Sequence, residues 1–189
     1  MSDLIYLAYA NDPSASDDKK KKELEYKRYV DEHKSNVEKA WLHMKKHKKV
    51  MDYIESIYSS SLDFLISAID NQIQAHDISK YSIEEWEPYR MHFHPVDEQE
   101  KLDSKALFDK AWIHHYSNNM HHWNWWAYNN QKDKMTLNYV IEMCCDWIAM
   151  CMKFGGDAYH WYLNQTDIIL GDKQKEWTIN ILKAYYNFE

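Results

Sequence analysis

Between residues 23 and 58 the apolar positions Tyr26, Tyr29, Val30, Val37, Ala40, Trp41, Met44, Met51 and Ile54 recur with charged residues between them. Spacings of three and four residues put these side chains on one face, which predicts one amphipathic helix or two in succession. A second helix is predicted from about 61 through Phe64, Leu65, Ala68, Ile69 and Ile73, ending near His76 and Asp77. The stretch 81–103 contains Pro88 and Pro95 and closes on acidic residues, so it reads as a connection with a short helix near 83–89, able to act as a lid. A third helix is expected over about 104–119. Beyond Met120 the cluster His121-His122-Trp123-Asn124-Trp125-Trp126 either continues that helix or turns. The fourth, over about 136–154, is apolar nearly throughout and is expected at the centre of the core, with Gly155 and Gly156 as its stop. Shorter helices are expected near 158–164 and 173–186. Residues 1–22 read as a partly ordered lead-in in which Lys19 to Lys22 form a solvated helix start rather than a phosphate contact. Residues 23–189 read as a single helical domain.

Composition sharpens this picture. The 189 residues suffice for one substantial core and are few for two comfortable domains. Gly and Pro number three each, too few for the turns of a strand-rich fold, so the fold class is all-α. A formal charge of −7 argues against an extended nucleic-acid surface. No apolar run is long enough for a membrane span and the start lacks a secretory pattern, so a soluble, cytoplasmic protein is expected. Cys144, Cys145 and Cys151 fit neither a disulfide framework nor a zinc ribbon and read as reduced core residues. Nine Trp and fifteen Tyr suit a bulky core, a stacking pocket or a homodimer interface equally well.

The candidate chemistry lies in His76-Asp77-Ile78-Ser79-Lys80, where an adjacent imidazole and carboxylate with a lysine three residues on can hold a metal and a phosphate together. His33 falls on the apolar stripe of the first helix, whereas His43 and His47 lie among lysines and are expected to face water. Asp146 sits inside the apolar fourth helix, where an unpaired carboxylate would cost several kcal/mol or be protonated. A metal removes that penalty. Glu142, one turn earlier, is a candidate to orient a ligand histidine. On the third helix His115, Asn119 and His122 share a face if the helix continues that far, with His121 a further ligand if it ends first. Each residue alone has a plainer reading: His33 as a hydrogen-bonded core histidine, Asp146 as the partner of Arg90 or Lys80. Four segments each offering a ligand-type residue on an inward face favour a metal site.

The order His33, His76-Asp77, Asp146 resembles the H…HD…D pattern of the HD-domain metal-dependent phosphohydrolases, and His76 to Lys80 resembles their HDIGK-type variant with Ser79 in place of Gly. Glu32 to Val37, His76 to Ser82, Pro88-Tyr89-Arg90, His114-His115 through His121-His122, and Ile141 to Met150 also look like an HD-like family encoded by phages and bacteria, a likeness covering about 24–165. The resemblance implies an HD-domain-like helical bundle with a metal site in its core. It implies His33, His76, Asp77 and Asp146 as ligands of a first metal, with Asp77 bridging if His115, His121 or His122 hold a second. For a phage protein the compartment is the host cytoplasm.

The leading functional expectation is a phosphohydrolase acting on a nucleotide or related phosphate ester. One or two divalent transition metal ions (Mn, Fe, Co, Ni or Zn) activate water for in-line attack, with Asp77 and Lys80 catalytic. Lys80 and Arg90 would meet the phosphate, although Arg90 can equally pair with Glu85 or Glu87. Tyr89, Trp123, Trp125 or Trp126 can stack a base or serve the core. Two further readings use the same residues: a di-iron oxygenase of HD fold, and a non-catalytic bundle stapled by its metal that binds a host partner or a nucleotide.

Overall fold

The computed structural model describes residues 15–188. Among them the regular structure is helical, with no strand, so the all-α expectation holds. The helices are α1 (Asp17–Lys46), α2 (Lys48–Ile57), α3 (Leu62–Ala75), α4 (Trp86–Phe93), α5 (Glu98–Asn118), α6 (Trp123–Tyr128), α7 (Leu137–Phe154), α8 (Ala158–Leu163) and α9 (Asp172–Tyr185), with 3₁₀ turns at Ile78–Tyr81 and Lys132–Lys134. Of the lead-in read over 1–22, residues 1–14 lie outside the described residues. From Asp17 onward it is already helix: Ser16 Oγ accepts from the Lys19 amide at 3.2 Å, and Asp17 and Asp18 complement the positive end of the helix dipole.

The contacts group the described residues into two compact units, one made of the chain up to Glu32 with Asp77–Asn119, the other of His33–His76 with the chain from Met120 onward. In the first unit α4 packs on α5, and Tyr26, Val30, Tyr81, Trp86, Tyr89 and Ala111 form the core. α5 begins six residues before the predicted 104 because Asp97 caps it: its side chain accepts from the Glu100 amide at 2.8 Å, while Glu100 accepts from the Val96 amide at 2.6 Å. Asp97 thus satisfies an amide of the first turn that the helix cannot bond itself, and Glu100 ties down the residue before the cap.

The second unit is built on α7, which packs against α3 and α9. Every residue from Val140 to Ala149 is buried. A helix apolar on all sides is stable only when neighbours surround it, and α3, α8 and α9 supply them. Gly155, with φ of 86°, ends it in a conformation that strains any residue with a Cβ. Cys144 and Cys145 are buried free thiols in this core, and burial pushes both up from the ordinary thiol range. Among the described residues no helix is long and apolar enough to cross a membrane.

Candidate metal centre

In the second unit three separate segments bring histidine nitrogens onto a carboxylate carried by a fourth. His33 projects from α1, His76 closes α3, His121 lies in the turn before α6, and Asp146 lies midway along α7. His33 Nε2 is 3.1 Å from Asp146 Oδ1 and 3.3 Å from His76 Nε2. His76 Nε2 and His121 Nε2 each stand 4.0 Å from an Asp146 oxygen. His122, the residue before α6, groups with His121 and Asp146, with ligand atoms within 4.8 Å of one another. Ligands about 2.0–2.2 Å from one ion stand about 3–3.5 Å apart. The His33 contacts already fall in that range, and the 4.0 Å pairs need only a small contraction.

Glu142 is the carboxylate behind two of these rings. Its Oε1 lies 3.0 Å from His76 Nδ1 and 3.1 Å from His121 Nδ1, and its Oε2 accepts from Gln72 Nε2 at 3.1 Å. An ionised carboxylate only accepts, so both Nδ1 atoms must carry hydrogen, and in the neutral form each ring then turns its Nε2 lone pair toward Asp146. Burial works to raise the Glu142 carboxyl, but the charge and hydrogen bonds of His121 and His76 outweigh it and hold it at about 2. Asp146 follows the same logic. Its burial opposes ionisation, while the His33 hydrogen bond and the charges of His33, His76 and His121 hold it well below the usual carboxylate range. The donors are therefore of the right type, buried and converging, and the cluster can hold a metal ion.

Local backbone explains why His76 is free to point inward. α3 stops at Ala75, His76 leaves the helix with φ −50° and ψ 129°, and Lys34 Nζ donates to the His76 carbonyl at 2.7 Å. Asp77 follows in the left-handed region, with φ 53° and ψ 24°.

Asp77, Lys80, Tyr89, Arg90 and His115 lie in the first unit. Asp77 Oδ2 pairs with Lys80 Nζ at 2.7 Å, and Asp77 Oδ1 is 3.4 Å from His115 Nε2. His115 Nδ1 is in turn 2.7 Å from Glu85 Oε2, the counterpart of the Glu142 arrangement, and Glu85 Oε1 meets His114 Nδ1 at 2.7 Å. Ser79, where the family pattern has Gly, accepts from Asn119 Nδ2 at 2.7 Å and lies 3.3 Å from His115 Nδ1. Arg90 makes the structural pair weighed for it. Its buried guanidinium binds both Glu87 and Glu100. Tyr89 is a core residue whose ring packs edge-on against Phe108 and His115. Trp123, in the second unit, is half-buried against the core, and Trp126 is buried with its Nε1 donating to the Met120 carbonyl at 2.7 Å.

Because α5 ends at Asn118, the expected shared face of His115 and His122 does not form, and His121 is the residue brought to Asp146. Gln72 is not among the residues expected at the site, and Glu85 is expected only as a partner of Arg90, whereas it binds His114 and His115. Gln72 stands one helical turn before His76, a spacing that stacks side chains on one face and was the available signal. An apolar cavity of about 200 Å³ at the far end of α7 is lined by Trp147, Met150, Cys151, Phe154 and Trp161 and by none of the predicted ligands.

Fold and site together define an all-α protein with a buried histidine and carboxylate cluster that can hold a metal ion. The chain belongs to the family described as a family of unknown function (DUF5662), whose model matches residues 22–184. No curated protein and no solved structure matches it.

Proposed function

We propose that this protein is a metal-dependent phosphohydrolase of HD type acting on a nucleotide or related phosphate ester in the cytoplasm. The observation that carries the reading is the convergence of His33, His76 and His121 on Asp146, with Glu142 fixing two of the three rings. A divalent ion in such a cluster would acidify water toward about 7 in favourable cases and neutralise charge on a phosphoryl group. The chain's own part is to keep the Nε2 lone pairs aimed and Asp146 ionised. Within the first unit, taken by itself, Asp77 and His115 are residues that would hold an ion, and Lys80, bound to Asp77 at 2.7 Å, is a cation that would meet a phosphate there. With Arg90 committed to Glu87 and Glu100, Lys80 bears that role without it.

The test is elemental analysis of the purified protein, then a panel of nucleotides and simple phosphate esters with added manganese, iron, cobalt, zinc or magnesium, scored by phosphate release. Release abolished by chelation supports the proposal. A metal-loaded protein that leaves every substrate intact overturns it.

A second reading rests on the ligand set itself: His33, His76 and Asp146 are two histidines and a carboxylate, a combination that also suits non-haem iron. Iron as the metal found, with oxygen uptake and no phosphate release, would select it.

A further inference from the structure

The carboxylate that orients the two histidines is itself held by a chain of side chains leading outward. Gln72 Nε2 donates to Glu142 Oε2 at 3.1 Å, Asn138 Nδ2 donates to Gln72 Oε1 at 3.0 Å, and Thr136 Oγ1 donates to Asn138 Oδ1 at 2.6 Å. Glu142 is buried, Gln72 and Asn138 are half-buried, and Thr136 is exposed. One charge sets the direction of all three bonds. An ionised carboxylate cannot donate, so Gln72 must turn its amide nitrogen inward and its oxygen outward; Asn138 must then meet that oxygen with its own nitrogen, leaving Oδ1 for the Thr136 hydroxyl. Helical spacing builds the chain: Gln72 is four residues before His76 on α3, and Asn138 is four before Glu142 on α7.

The geometry points to Gln72, held by Asn138, as a positioning residue for the metal centre: it locks the Glu142 carboxylate so that one oxygen meets both His76 Nδ1 and His121 Nδ1. Without Gln72 the carboxylate is free to rotate about its terminal torsion, and the two imidazoles lose their common reference. Outer partners of metal-ligating histidines commonly tune affinity by about 10- to 100-fold. This inference rests on the metal-site reading above and adds residues that touch no ligand atom.

The experiment uses the full chain and cobalt(II), whose visible absorption reports the ligand field. Wild type, Gln72→Met, Asn138→Leu and the double variant are stripped with chelator, checked for helix content, and titrated with cobalt. The expected result is an apparent Kd raised about 10- to 100-fold in Gln72→Met with an altered cobalt band. Asn138→Leu should move both in the same direction by less, and adding it to Gln72→Met should change nothing further, because it acts through Gln72. A Kd within twofold of wild type with an unchanged band, or additive effects in the double variant, overturns the assignment. If Gln72→Met does not fold, the half-buried Asn138→Leu decides by the same two readings. Wild type that takes up no cobalt sinks the metal-site reading itself, a result distinct from a variant that binds as wild type does.

Discussion

His76 and His121 lie with ring centroids 4.3 Å apart and turn the same nitrogen, Nδ1, to the same oxygen of Glu142. Two imidazoles this close would repel each other if both were charged and nothing lay between their donors. The carboxylate relieves that repulsion and also fixes the tautomer of each ring.

Glu142→Gln keeps the volume and removes the charge. The neutral amide accepts more weakly from two donors and no longer dictates that both Nδ1 atoms are protonated. Metal affinity should fall about 10- to 100-fold while the metal-free protein keeps its helix content. Competition against a chromogenic chelator measures it, and an unchanged affinity would show that Glu142 does not orient the rings.

An ion held at Asp146 would be readable by thermal unfolding. An ion that binds only the folded state stabilises it by about 4 kcal/mol at a thousandfold excess over Kd. For a chain of this size that is a Tm rise of roughly 8–16 °C. Stripping with chelator and restoring metal should lower and then recover Tm. In Asp146→Asn, which removes the one carboxylate the three rings surround, the metal-dependent rise should vanish. A wild-type Tm indifferent to chelation and to every metal tried would argue that no ion is held.

Arg90 predicts an acid-dependent loss of stability within the first unit. Its Nη1 and Nη2 bind Glu100 at 2.8 and 2.5 Å, and its Nε and Nη2 bind Glu87 at 3.1 and 3.0 Å. The Arg90 hydrogen bonds pull the Glu100 carboxyl down against its burial, while for Glu87 burial opposes ionisation and the bonds from Arg90 and Lys19 outweigh it. Groups whose folded pKa lies below the unfolded value stabilise fully above the latter, here near 4.5, and lose that contribution as pH falls below it. Glu100→Gln should therefore cost about 1–3 kcal/mol at pH 7, less than the roughly 3–5 of a buried charge left wholly alone because Glu87 remains. The gap to wild type should shrink at pH 3. Urea unfolding at the two pH values decides, and an equal gap at both would disprove the linkage.

Much of the fold was legible because its signals are local and additive. The apolar run of α7 is found within one residue of its predicted start, and Asp146 stood out there because nothing apolar explains a carboxylate in such a run. His33 was legible from its place between Val30 and Val37 on a stripe. The choice among His115, His121 and His122 was not, because it depends on where α5 stops. That stop at Asn118 carries neither Gly nor Pro to announce it. The early start of α5 was hidden in a capping pair, Asp97 and Glu100, inside a stretch that reads as an acidic connection. The roles of Gln72 and of Glu85, expected only beside Arg90, were hidden for a different reason: polar residues reveal a partner only when the tertiary structure supplies it.

Asp77 has a backbone role, and the proposed chemistry gives its carboxylate a second one that can be separated from it. Its φ of 53° lies in the left-handed region, which costs most L-residues about 1–2 kcal/mol and which Asn and Asp tolerate best after Gly. Its carboxylate binds Lys80 and meets His115. Asp77→Asn keeps the backbone preference and removes the charge; Asp77→Ala loses both. Stability should fall from wild type to Asn to Ala, with about 1 kcal/mol between the two variants as the backbone share. Phosphate release, if the proposed chemistry is right, should drop in both by at least about 100-fold, the scale of losing one electrostatic contact in a transition state. Chemical unfolding and a phosphate assay on the same preparations give both numbers. A stable Asp77→Asn protein that still releases phosphate would mean that the left-handed turn, and not the carboxylate, is what this position supplies.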